Sequence, residues 1–128
     1  MKAIHELIAY FDRRGKLTPA QMKGLLKQGF LAAEAPPTLI GLCQRPGQTH
    51  YFRVYGEDVG PVWGTDTYTG DTALAAAAVH AGAVELGEMK VVKVTVVEPL
   101  PHYRGSTRNG VTSHEFGPYN TAYRVEPF

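Results

Sequence analysis

Val62-Trp63-Gly64-Thr65-Asp66-Thr67-Tyr68-Thr69-Gly70-Asp71 runs directly into Thr72-Ala73-Leu74-Ala75-Ala76-Ala77-Ala78-Val79-His80-Ala81-Gly82, and the reading of this junction decides the fold. The first half is turn chemistry around two large aromatics, Trp63 and Tyr68. The second half reads as a helix. Asp71 is placed to act as its N-cap, because a carboxylate accepts from the free N–H groups of a first turn. Gly82 is the natural left-handed stop. Residues 75–78 combine the highest helix propensity with the least side-chain volume. A helix so poor in charge has no face suited to water. The stretch therefore predicts a buried central helix with the rest of the domain wrapped around it.

Downstream, Met89–Val97 reads as the clearest strand, with Val92, Val94 and Val96 on one face and Lys93 and Thr95 on the other. Pro99 and Pro101 end it. Asn109-Gly110 is a strong turn signal, since a tight hairpin needs positive φ at both positions. Residues 119–125 supply a closing strand with Tyr123 and Val125 on one face. Upstream, Leu39-Ile40-Gly41-Leu42-Cys43-Gln44 and His50-Tyr51-Phe52-Arg53-Val54-Tyr55 flank Arg45-Pro46-Gly47, the pattern of a hairpin.

The amino-terminal third has a different character. Ile4, Leu7, Ile8 and Phe11 fall at helical spacing. Arg14-Gly15-Lys16 breaks that pattern. Thr18-Pro19 restarts it as an N-cap and first-turn proline, and Gln21 completes a capping box. Met22, Leu25 and Leu26 carry the second stripe. The expected organisation is a helical hairpin over residues 1–31, a proline-stiffened linker over 32–38, and a domain over 39–128. The hairpin weakly resembles bacterial oligomerisation hairpins of the SHOCT type. It reads either as packing on its own molecule or as a surface for self-association or a protein partner. The fold class expected is α+β: a central Ala-rich helix wrapped by short antiparallel strands, preceded by that hairpin.

The motif Val62-Trp63-Gly64-Thr65-Asp66-Thr67-Tyr68-Thr69, then Asp71-Thr72 and Ala77-Ala78-Val79-His80-Ala81-Gly82, resembles the signature of the LCCL domain. The likeness continues through Val94-Thr95-Val96 and Tyr103-Arg104-Gly105-Ser106-Thr107-Arg108-Asn109-Gly110-Val111-Thr112-Ser113, covering roughly residues 50–125. The resemblance implies a helix held between small β-sheets. It also implies a binding module, with some members linked to lipopolysaccharide. Animal members are stapled by disulfides, with a cysteine expected near Ala75. This chain has one cysteine, Cys43, so it forms no internal disulfide. A short, cysteine-poor variant suggests a bacterial protein.

Among candidate site residues, Arg104, Ser106, Thr107, Arg108 and Asn109 offer two guanidinium forks beside hydroxyls, suited to a phosphate or carboxylate. The competing reading is a solvated hairpin with Arg108 held by a neighbouring carboxylate. His80 could serve as an acid or base, or as a buried imidazole bonded to a backbone carbonyl. A small hydrolase using His80 would require it to line a pocket beside Asp66 or another carboxylate. Asp66 and Asp71 flank three threonines without the ligand spacing of a calcium loop. Trp63 and Tyr68 read as core aromatics; an exposed Trp63 would instead suit sugar stacking.

The histidines show no metal-ligand spacing, so no metal or other cofactor is expected. A net charge of +1 argues against a strong field for nucleic acid. No apolar run is long enough to span a bilayer, and the amphipathic start lacks a signal-peptide core. With a single cysteine, this favours a cytoplasmic setting. The function expected is non-enzymatic binding, chiefly as a cytoplasmic protein-interaction module in an adaptor or toxin-neutralising role. Residues 1–31 or the 102–118 loop would form its contact surface. The alternative is capture of an anionic glycan or lipid head group by the arginine loop.

Overall fold

The computed structural model describes residues 32–42 and 45–128. The hairpin expected over residues 1–31 lies outside the described residues, as does Cys43. Eight strands are present among the described residues: β1 (Ala33–Glu34), β2 (Thr49–Tyr55), β3 (Gly64–Thr65), β4 (Thr67–Thr69), β5 (Met89–Val97), β6 (Thr107–Arg108), β7 (Val111–Thr112) and β8 (Ala122–Pro127). One helix, α1 (Leu74–His80), interrupts them.

Six strands form one sheet in the order β1-β2-β5-β8-β4-β3, antiparallel throughout except for the parallel β1–β2 pair at one edge. Alternation along β5 decides which face is buried. Val92, Val94 and Val96 are closed to solvent, and across the ladder Val94 pairs with Val125 and Val96 with Tyr123. Each such valine contributes roughly 1.5–3 kcal/mol by leaving water. The short helix packs on this face and is nearly closed to solvent all round, with only Ala75 partly open. On its other side lies the two-stranded β6–β7 hairpin, whose Val111 joins the same core.

The expected helix-wrapped α+β architecture is therefore overturned. The described chain is mostly β, and its organising element is the sheet, on which a seven-residue helix sits. The physical reason is length. Two turns of mostly alanine bury too little area to organise a core, whereas β5 crosses the domain and pairs on both sides.

Local expectations were corrected in two places. Residues 39–42 form a turn rather than a strand, with Leu42 N–H donating to Leu39 O at 2.9 Å and Leu39 buried as a plug. The partners of β2 are β1, from the expected linker, and β5. Asp71 does not cap the helix, which starts at Leu74 without a side-chain cap. Its carboxylate instead accepts from Thr69 Oγ1 at 2.5 Å. The first N–H groups go to distant carbonyls, Ala73 to Pro61 and Leu74 to Pro37, both at 2.9 Å. The other end follows the sequence reading. Gly82 takes φ 80°, with Gly82 N–H to Val79 O and Ala83 N–H to Ala78 O, a Schellman stop.

Candidate functional site

The helix ends by presenting His80 to the 102–118 loop. The loop's tip is the Asn109-Gly110 turn joining β6 to β7, with φ of 53° and 81°, the conformation a two-residue hairpin needs. Its root is held by Tyr103, buried and paired through its backbone with Phe116.

His80 is fully buried and both ring nitrogens are engaged. Nε2 lies 3.1 Å from Ser106 O, which can only accept, so the network assigns the proton to Nε2. Nδ1 is then the acceptor, and the Tyr68 hydroxyl donates to it at 2.8 Å. Burial lowers the imidazole pKa below its ordinary value. Burial also pushes the Tyr68 phenol up to about 12. Ser106 Oγ stands 3.2 Å from Nε2, the separation of a serine–histidine pair. However, Nε2 already carries its proton toward a carbonyl, and Nδ1 faces a phenol instead of a carboxylate. The arrangement supplies no base for Ser106, and the hydrolase reading of His80 fails on this geometry.

Around this pair a hydroxyl cluster locks the loop. Ser113 Oγ accepts from Ser106 N–H at 2.9 Å and reaches Ser106 O at 3.2 Å. Thr65 Oγ1 donates to Arg104 O at 2.9 Å and touches Ser106 Oγ. Asn109 Nδ2 donates to His80 O at 3.1 Å, satisfying a carbonyl at the helix end. Of the residues singled out by sequence, Ser106 and Asn109 thus point toward the domain.

Arg108, Thr107 and Arg104 point outward. Arg108 Nη1 pairs with Asp66 Oδ1 at 2.6 Å, both side chains about half exposed, a contact that bridges the loop to the turn between β3 and β4. An exposed pair of this kind is worth at most about 1 kcal/mol. Thr107 faces Thr112 across the hairpin at 3.0 Å. The Arg104 guanidinium has no ion-pair partner among the described residues. Trp63 is half-buried, its ring 5.4 Å from His114 and 5.5 Å from Phe116.

Sequence reading missed Thr65 and Ser113 as members of the network. Ser113 carried a signal: two positions after Val111 in a strand-like run, it had to share Val111's inward face, and both are buried. Thr65 carried none, because its partners are 39 and 41 positions away. Among the described residues no cluster of His, Cys, Asp or Glu could hold a metal ion, and no helix is long and apolar enough to cross a membrane.

A pH dependence follows from His80. Its folded-state pKa is depressed, so below the ordinary value of 6.5 the unfolded chain binds a proton that the folded chain refuses. Stability is expected to be flat well above 6.5. It should fall as pH drops through that value, by up to about 1.4 kcal/mol per pH unit, until the folded-state pKa is reached. Urea titrations at pH 7.5, 6.5 and 5.5, with His80→Gln as comparison, check this; a dependence equal in both proteins would place the titration elsewhere.

The LCCL domain family model matches residues 39–123. Transcriptional regulatory protein rxt3 of Schizosaccharomyces pombe is 34% identical over 59 residues, which are 43% of this chain and 17% of that protein. The family match begins at the Leu39 plug and ends at Tyr123 in β8, taking in the helix, the His80 network and the 102–118 loop, and the chain belongs to the LCCL domain family, a family of binding modules.

Proposed function

We propose that this LCCL-family chain is a non-enzymatic, cytoplasmic protein-interaction module that presents the 102–118 loop to its partner in an adaptor or toxin-neutralising role. The observation that carries this reading is the loop's division of labour. Ser106, Asn109 and Ser113 hold it from below, while Arg104, Thr107, Thr112 and Phe116 are displayed to solvent. A loop already held in shape loses little entropy on binding. An exposed Phe116 on a half-buried Trp63, with an unpaired Arg104 nearby in sequence, has the composition of an interface anchor. The resemblance to a transcriptional regulatory protein supports action through contacts with other macromolecules. The lack of any internal disulfide in a one-cysteine chain supports a reducing compartment. Capture of an anionic glycan is less well supported, because Asp66 already occupies Arg108, leaving one of the two forks.

The test is retention from lysate on immobilised protein, with heparin and lipopolysaccharide binding measured beside it. The full chain is expected to retain one protein in stoichiometric amount. The Arg104→Glu, Phe116→Ala variant should lose that partner by roughly tenfold or more in affinity, with its melting temperature little changed. Unchanged retention by the variant would remove the loop from the interface. Salt-sensitive glycan binding without a protein partner would overturn the reading.

A further inference from the structure

The described residues also hold an apolar groove with a cavity volume of about 480 Å³, lined by Tyr55, Val59, Pro61, Ala73, Ala75 and Met89 among others. Tyr55, Val59 and Met89 are 46%, 50% and 57% exposed, a grouping of large apolar side chains that water solvates poorly. Residues 34–38 form part of the groove wall, and Ala32, just before them, is buried. Residues 1–31 therefore join the domain at the wall of this groove. A segment tethered so closely reaches its site at millimolar effective concentration.

Sequence and charge fit the two parts together. Residues 1–31 carry Ile4, Leu7, Ile8 and Phe11, then Met22, Leu25 and Leu26, at helical spacing. They hold six Lys and Arg against two Asp and Glu, while residues 32–128 hold seven against ten. On the groove lining Glu34 is held by Arg53 at 2.7 Å, which leaves the exposed Glu57 as the carboxylate a basic segment would meet. We propose that the groove is the docking site for residues 1–31 of the same chain, which lay their apolar stripe on Tyr55, Val59 and Met89.

Hydrogen exchange on the full chain tests this. Val59→Glu with Met89→Glu places two charges on exposed groove positions. Amides in residues 3–30 should then exchange roughly tenfold faster than in the unsubstituted chain, with those of β5 and β8 unchanged. The reciprocal variant, Leu7→Glu with Phe11→Glu, leaves the sheet untouched and should speed exchange over residues 56–61. Equal exchange in variant and parent, in either direction, would overturn the proposal. Protection over residues 3–30 that rises with protein concentration, alongside a dimer by light scattering, would assign the groove to a second copy and overturn docking within one chain.

Discussion

Alanine in place of Gly64 is expected to cost roughly 3–5 kcal/mol, enough to unfold much of a domain of ordinary stability. Two independent effects add here. Gly64 takes φ 109°, a region open to glycine and strained for any other residue. An added Cβ would also stand 2.3 Å from Thr67 O and 3.3 Å from the Tyr103 ring. Thr67 O cannot withdraw, because β4 is paired with β3 on one side and β8 on the other. Gly60→Ala is the natural comparison. It shares a positive φ, yet its Cβ would meet only the Ala73 methyl at 3.1 Å, so its loss should be smaller. Urea midpoints of the two variants check the ranking; near-equal values would mean that the turn yields and the close approach does not matter.

His80→Ala is expected to cost a comparable 3–5 kcal/mol, from an emptied buried volume and the loss of two hydrogen bonds. The Tyr68 hydroxyl would lose its partner inside the core, while Ser106 O would keep only its bonds from Ser113. The smaller change Tyr68→Phe leaves only Nδ1 unsatisfied and should cost about 1–3 kcal/mol. Because the His80 imidazole also anchors the 102–118 loop through Ser106, its removal should accelerate exchange across residues 104–114, although Asn109 keeps its bond to the backbone carbonyl at position 80. Retention of full stability in His80→Ala would contradict the structural role argued from its burial.

What could be read from the sequence depended on how local the physics was. The helix around residues 75–78, the Gly82 stop, the alternating valines of β5 and the Asn109-Gly110 turn are each set by neighbouring residues, and they formed where expected. The errors lie where a distant group intervenes. Asp71 lost its cap because Pro37 and Pro61 carbonyls had taken the helix N–H groups. The β-prone run from Leu39 became a turn because its leucine is needed as a plug, showing how far β propensity depends on surroundings. A two-residue strand such as β1 has no periodicity to detect. At the site, Arg108 was recognisable as a candidate anion ligand or carboxylate partner, but the identity of that carboxylate was not. Asp66 lies 42 positions away and meets it only in the assembled fold.

The sheet order has a consequence for biosynthesis. β8, last of the strands along the chain, lies between β5 and β4, so within the sheet the β3–β4 pair is linked to β5 through β8. Tyr123 reaches back 51 positions to donate to Thr72 O. A growing polypeptide therefore cannot close its core on the ribosome until residues 122–127 have left the exit tunnel. Until then the β5 edge that carries Val94 and Val96 lacks its partner. Such non-local pairing slows folding toward milliseconds or longer, and leaves that edge open to aggregation in the interval.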